Sequence, residues 1–213
     1  MRWLGIDEAG RGCVLGAMVV AGFVLDADDD HVLAEAGATD SKKLSAKRRV
    51  AIRAKLEALG TGDARCVEPV MLDAHSLNAL EEDVVLDLVR RWRPDHVVMD
   101  ALGPPRTLPA LIARFQRALE PDGLRPTWTI APKADLDFPV CGAASIIAKT
   151  TRDAALEELK LTWGTLGSGY PGDEVTRSWL LAHARTGAPW PPFVRTKWST
   201  IPDIEALARS TSA

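Results

Sequence analysis

Three carboxylates in this chain stand where apolar runs end. Asp7 and Glu8 follow Arg2 to Ile6, and Asp100 closes the run His96 to Asp100 (HVVMD). Runs of this kind read as buried strands. In a sheet with parallel neighbours, side chains at the carboxyl ends of central strands meet at the crevice where ligands bind. Carboxylates gathered there repel one another unless they take up protons or cations. Magnesium or manganese suits them, because hard ions prefer oxygen donors, and His31, His75, His96 and His183 show no ligand spacing. Two such ions about 4 Å apart can activate a water and stabilise the leaving oxygen of a phosphodiester, which is nuclease chemistry. Taken singly, each acid has a local alternative: Asp7 as a turn cap or partner of Arg11, Asp100 as the cap of the next helix.

The elements that must position these acids follow an α/β pattern. Arg2 to Ile6 and Val14 to Leu25 read as a hairpin around the glycine turn Gly10 to Gly12. Ser45 is predicted to cap a helix reaching Leu59, with Ile52, Leu56 and Leu59 on its apolar side. A strand over Ala64 to Val70 and a helix over Ser76 to Arg91, with Leu77, Leu80, Val84 and Leu88 on one face, come next. Beyond Asp100 the pattern predicts a helix from Leu108 to Leu119, a strand from Pro126 to Ala131 and a long helix from Val140 to Lys160. The glycine-rich loop Gly164 to Pro171 then leads to a helix over Glu174 to Ala184, and prolines punctuate the tail. No repeat or linker separates two cores. The expected organisation is one α/β catalytic domain over residues 1–160 with a C-terminal helical extension, 161–213, packed on it.

Composition bounds the setting. With 213 residues, 46% of them hydrophobic, the chain can bury a substantial core. Its longest apolar run, Val14 to Leu25, is interrupted by Gly16 and Gly22 and falls short of the ~20 residues that span a bilayer. Met1 to Asp7 shows no secretory pattern. Cys13, Cys66 and Cys141 form neither a disulfide framework nor a zinc spacing, so a cytoplasmic location is expected. A net charge of −3 argues against indiscriminate nucleic-acid binding. Charge is nonetheless uneven: Lys42, Lys43, Lys47, Arg48, Arg49, Arg53 and Lys55 follow one another with no intervening acid. That stretch is either a local positive face or a solvated helix surface.

The string Asp7-Glu8-Ala9-Gly10-Arg11-Gly12 (DEAGRG) after an apolar strand resembles the signature of the ribonuclease HII (type 2 ribonuclease H) family. Asp40-Ser41-Lys42-Lys43-Leu44 (DSKKL), Ala143 to Asp153 (AASIIAKTTRD) and Gly167 to Pro171 (GSGYP) are similar to further family blocks in the same order. The resemblance covers Met1 to about Trp198. It implies a ribonuclease H-like fold, with a central five-stranded mixed sheet flanked by helices and a C-terminal helical part. It also implies an endonuclease that hydrolyses the RNA strand of RNA/DNA hybrids and cuts 5′ of ribonucleotides embedded in duplex DNA, leaving 3′-hydroxyl and 5′-phosphate ends. Roles in ribonucleotide excision and primer removal would follow.

By the same resemblance, Asp7, Glu8, Asp100 and Asp135 are the catalytic, metal-holding carboxylates, with Mn²⁺ or Mg²⁺ as cofactor. Asp137 is the alternative for the fourth position, and Asp153 a further one. Gly10, Arg11 and Gly12 are implied to recognise the ribonucleotide, which suits glycine backbone able to approach a sugar and bond its 2′-hydroxyl. Tyr170 is implied to pack on the neighbouring sugar. Ser41, Lys42, Lys43, Lys149 and Arg152 are candidates for phosphate contacts. The expected partners are RNA/DNA hybrids and ribonucleotide-containing DNA, with no membrane, a monomeric state, and no terminal glutamine-and-aromatic motif of the kind that binds sliding clamps.

The sequence also departs from the family. Cys13 and Ala17 replace common prolines, Gly172-Asp173-Glu174 replaces a more usual serine and proline pattern, and Phe193 to Thr200 looks archaeal-type. Trp163, Trp179, Trp190 and Trp198 are expected to anchor the C-terminal helices. Two rivals remain: the sister type 3 ribonuclease H, which prefers longer hybrids, and a catalytically silent nucleic-acid-binding module of the same fold.

Overall fold

The computed structural model of the chain describes residues 1–26, 30–38 and 44–210. Strands β1 (Arg2–Ala9) and β2 (Met18–Asp26) form the expected hairpin, paired antiparallel from Arg2↔Asp26 to Ala9↔Val19. β2 starts at Met18 rather than Val14 because the intervening segment turns to the C-terminal tail instead. Leu15 bridges Val194, and the Gly16 amide donates to Phe193 O at 2.8 Å. Helix α1 (Asp30–Ala36) precedes α2 (Ala46–Leu59), whose cap Ser45 accepts from the Arg48 amide at 3.3 Å as its sequence predicts. Ile52 and Leu56 are buried, whereas Leu59, in the last turn, is 41% exposed.

Strand β3 (Thr61–Val67) ends early because Pro69 opens a short helix, α3 (Pro69–Ala74). In α4 (Leu77–Trp92) the buried face is Glu81, Val85, Leu88 and Val89, rotated slightly from the leucine stripe. Leu77, Leu80 and Val84 pack half-buried on the same cluster. β4 (His96–Asp100), α5 (Leu108–Leu119) and β5 (Thr127–Ala131) follow the sequence pattern closely. A one-turn helix, α6 (Ala134–Asp137), leads into the 25-residue α7 (Pro139–Trp163), and α8 (Glu174–Arg185) and α9 (Thr200–Ser210) complete the chain. The tail prolines concealed α9: Pro202 sits in its first turn, where a missing N–H costs no helical bond.

The strands lie in the order β3-β2-β1-β4-β5, antiparallel on the β3-β2-β1 side and parallel across β1-β4-β5. This is the mixed five-stranded sheet of a ribonuclease H-like α/β fold. One face packs on α1, α2 and α7 through Val19, Phe23, Ile52 and Ile146. The other packs on α4 and α5 through Ile6, Met18, Leu88 and Phe115. A third cluster joins Leu15 and Leu156 to Leu180, Phe193 and Ile204 of the C-terminal part. There Trp163 meets Phe193 at 5.2 Å and Trp179 stacks on His183 at 5.3 Å, so these tryptophans do serve as anchors, though half-exposed ones. Among the described residues no helix is long and apolar enough to cross a membrane.

The approach of α7 to β1 is unusually close. A Cβ added at Gly5 would lie 2.1 Å from Val140 O, and the Cys141 thiol donates to Ile6 O at 3.2 Å. Small residues at Gly142, Ala143 and Ala144 continue the seam. Everything α7 carries toward the strand ends is held at that spacing.

Candidate active site

Strand alternation and register place the first acids. Asp7 shares a sheet face with Gly5 and Ala9, and Asp100 shares the same face with Val98, because side chains alternate along a strand. β1 and β4 run parallel with Ile6 opposite Met99, so Asp7 and Asp100 stand side by side at the carboxyl rim. Glu8, one residue on, leaves β1 from the other face. All three line one cavity of about 370 Å³, together with Gly10, Arg11, Gly12, Arg49, Lys149, Arg152, Asp153 and Tyr170.

Asp100 is oriented by backbone. Its Oδ1 accepts from the amides of Lys133 at 2.6 Å, Ala101 at 3.0 Å and Ala134 at 3.3 Å. Lys133 adopts φ 62° to make this turn, and the turn delivers Asp135 at 1% exposure while Asp137 faces solvent. The Cys141 thiol marks where the acids converge. Its pKa is raised well above the ordinary thiol value by burial first, and then by Asp7, Asp100 and Asp135. Asp135, but not Asp137, acts on this thiol, and neither of them lines the cavity. Asp153 is committed elsewhere, pairing with Arg49 at 2.8 Å and Arg152 at 3.1 Å.

Asp7 is strongly perturbed. Burial, and then the Glu8 charge, push its carboxyl from 3.8 up to about 7, against the pull of Lys149 and a hydrogen bond from Ser145. Lys149 Nζ lies 3.8 Å from Asp7 Oδ2 and 2.5 Å from Ser145 Oγ.

Donor chemistry, burial and charge all bear on whether these residues fit a divalent cation. The donors are all hard carboxylate oxygens. Asp7 and Asp135 are nearly out of water, where a negative charge is costly without a positive neighbour. The positive charge of Lys149 near Asp7 does not offset its burial. Among the described residues the acids do not close into a three-ligand cage. The set suits a divalent metal.

The loops beside the acids are braced from several directions. Gly10 adopts φ +79°, and a Cβ there would meet Ala17 O at 3.1 Å. Arg11 does not pair with Asp7; it forms an ion pair with the buried Glu81 and a hydrogen bond to Asn78, both on α4. Behind the turn, the fully buried Arg195 donates to the carbonyls of Gly10, Arg11 and Gly16. Burial lowers its guanidinium to about 10.

Tyr170 is set by a second loop. Thr176 in α8 accepts from the Gly169 amide at 2.9 Å and donates to Leu166 O at 2.8 Å. Asp173, capping α8, also accepts from the Ser168 amide. The Arg152 guanidinium lies 5.2 Å from the Tyr170 ring. Tyr170 itself remains 44% exposed at the cavity edge.

The cavity thus gathers Asp7, Glu8, Gly10, Arg11, Gly12, Asp100, Lys149, Arg152 and Tyr170 from the sequence reading. Ser41, Lys42 and Lys43 lie outside the described residues. Sequence reasoning overlooked Arg49, Ser145, Glu81, Asn78 and Arg195. Arg49 belonged to the basic run, and an acid on the inner face of α4 was the available sign for Glu81. Arg195 between Val194 and Thr196 carried no periodic or spacing signal.

Comparison with known proteins identifies the family and the fold. The family model for ribonuclease HII matches residues 4–201. A ribonuclease HII from Aeropyrum pernix is 35% identical over 99% of this chain and 93% of its own length. The crystal structure of the ribonuclease H2 from Pyrococcus horikoshii superposes with a TM-score of 0.87 at 34% identity, covering 98% of this chain and 99% of that one. A PCNA:RNase HII complex from Archaeoglobus fulgidus gives 0.81 at 35% identity over 95% and 96%. Its assembly with PCNA stands against any inference from the missing clamp motif. Bst-RNase HIII, solved with Mn²⁺, shares the fold alone, at TM-score 0.77 and 18% identity over 99% of this chain and 71% of its own. With the family model spanning nearly the whole sequence and relatives matched end to end, the chain belongs to the ribonuclease HII family and is a metal-dependent endoribonuclease.

Proposed function

We propose that this ribonuclease H cuts the RNA strand of RNA/DNA hybrids and cuts 5′ of ribonucleotides embedded in duplex DNA, leaving 3′-hydroxyl and 5′-phosphate ends. The observation that carries this reading is a single cavity in which Asp7, Glu8 and Asp100 face Lys149 and Arg152, with Gly10 to Gly12 and Tyr170 on its rim. Asp7, Glu8, Asp100 and Asp135 would hold Mn²⁺ or Mg²⁺. When bound, such ions supply water activation and neutralise charge on the leaving oxygen.

The chain's own residues do the rest. Lys149 and Arg152, three residues apart on α7, present cations to phosphates of the cut strand, giving affinity without base readout. The Gly10 to Gly12 backbone bonds the ribose 2′-hydroxyl, a group DNA lacks. Tyr170 packs on the adjoining sugar. In this reading residues 1–160 are the catalytic unit and residues 161–213 a helical extension that holds Tyr170 and the turn beneath it. The free thiols Cys13, Cys66 and Cys141 are in keeping with a cytoplasmic role in ribonucleotide excision and primer removal.

The test is an end-labelled DNA duplex containing one ribonucleotide, incubated with Mn²⁺ or Mg²⁺ and, separately, with chelator. Cleavage only with metal, on the 5′ side of the ribonucleotide, is expected. Cleavage that persists in chelator, or intact substrate in both metals, contradicts the reading. Tyr170→Ala should lower kcat/KM on this substrate by about 10-fold or more, the scale of a lost stacking contact. Its melting temperature should move little, because the ring is half-exposed; unchanged kinetics would exclude Tyr170 from the site.

A further inference from the structure

The turn at Gly10 to Gly12 has a conformational problem that Arg195 solves. Peptide units beside glycine can flip, because glycine tolerates both signs of φ. Within the turn the Cys13 amide donates to Gly10 O at 3.2 Å, and a further hold on the carbonyls of both Gly10 and Arg11 would keep the amides of Arg11 and Gly12 facing one way. Arg195, which does not line the cavity, supplies it. Its Nη2 donates to Gly10 O at 2.7 Å, its Nη1 to Arg11 O at 3.0 Å and its Nε to Gly16 O at 2.9 Å. Its own amide donates to Val14 O at 2.9 Å, and the Trp198 ring lies 4.9 Å from its guanidinium.

The side chain is fully buried, and these bonds go to carbonyls rather than to a carboxylate. An apolar residue would fill the same space without burying a charge. What only arginine offers is a planar fork of donors able to reach several acceptors at once.

The consequence follows from peptide geometry. The described chain has no cis peptide, and a trans unit points its C=O and N–H in opposite directions. With the carbonyls of Gly10 and Arg11 turned toward Arg195, the amides of Arg11 and Gly12 point away from it. Gly10, Arg11 and Gly12 line the cavity, and Arg195 does not.

We propose that Arg195 is a positioning residue that locks these two amides toward the cavity and so sets the preference for a ribonucleotide over a deoxynucleotide. This inference rests on the reading of Gly10 to Gly12 as the 2′-hydroxyl contact.

The experiment uses two duplexes identical except for one 2′-hydroxyl. The ribo-substituted duplex gives kcat and KM, and the all-DNA duplex, as a competitor, gives Ki. For wild type, KM well below Ki is expected. Arg195→Lys keeps the charge but gathers its donors on one atom. It should raise KM about 10-fold, the scale of one or two lost hydrogen bonds, and leave Ki within about twofold. A merely structural role would reduce the folded, active fraction, lowering kcat and leaving KM and Ki alone.

If Arg195→Lys fails to fold, Trp198→Leu takes its place. It removes the ring against the guanidinium while keeping the arginine, and should raise KM/Ki in the same direction by about two- to threefold. A folded variant with wild-type KM/Ki overturns the role of Arg195 alone. Equal KM and Ki in the wild type would instead remove the 2′-hydroxyl reading on which it rests.

Discussion

Asp7→Asn and Asp100→Asn are each expected to lower turnover on a singly ribo-substituted duplex by about a thousandfold or more, while leaving duplex affinity within a few-fold. Both replacements keep the side-chain volume. They remove a charge from adjacent positions on neighbouring parallel strands, where the acids are proposed to share metal ions. Phosphate affinity comes from Lys149 and Arg152 and should survive. Steady-state kinetics with Mn²⁺ and a binding titration on the same duplex make the check; wild-type turnover in either variant would refute the carboxylate assignment.

The same substitution at Asp7 should act in the opposite direction on stability. In the folded protein its carboxyl titrates near 7 instead of 3.8, so between those values the folded state binds more protons than the unfolded one. Stability contributed by this group is therefore present below pH ~4 and lost as pH rises through about 7. In chelator at pH 8, Asp7→Asn should melt higher than wild type, by a gain on the order of 1–4 kcal/mol. Added Mn²⁺ should stabilise the wild type and largely spare the variant. A lower melting temperature for metal-free Asp7→Asn would mean that burial does not strain this acid.

Gly5→Ala should have the largest effect on folding. Its Cβ would lie 2.1 Å from Val140 O and 2.7 Å from the Cys141 amide, so relief requires moving helix backbone rather than a side-chain end. A loss on the order of 3–5 kcal/mol is expected, or about 10 °C in melting temperature for a chain of this size. Gly172→Ala, which would meet nothing within 4 Å, is the control. Thermal unfolding of the two separates crowding from the general effect of losing a glycine. Equal melting would show that the seam between β1 and α7 can open at little cost.

Much of this was legible in the sequence because the relevant signals are local. HVVMD is an apolar run ending in an acid, and it is β4 to the residue. The DEAGRG block puts Asp7 and Glu8 within β1 and the glycine turn just beyond it. Boundaries failed where distant chain intervened. Val14 to Ala17 read as strand, but the tail at Phe193 and Val194 claims that segment. The inner face of α4 shifted because Glu81 is drawn inward to Arg11, 70 positions earlier. Asp135 and Asp137 could not be separated by spacing; the Lys133 turn that buries one and exposes the other is formed by hydrogen bonds to Asp100. Arg195 was invisible for the same reason: its partners are three carbonyls about 180 positions away.

The length of α7 has a thermodynamic corollary. One uninterrupted rod begins beside Gly5, carries Ser145, Lys149 and Arg152 past the acids, and ends at Trp163 among the aromatics of the tail. Neither half of the molecule can melt without fraying a helix that the other half is packed against. Heat should therefore unfold both together in one cooperative step, and a nick in the aromatic nest would be felt as looseness at the acids.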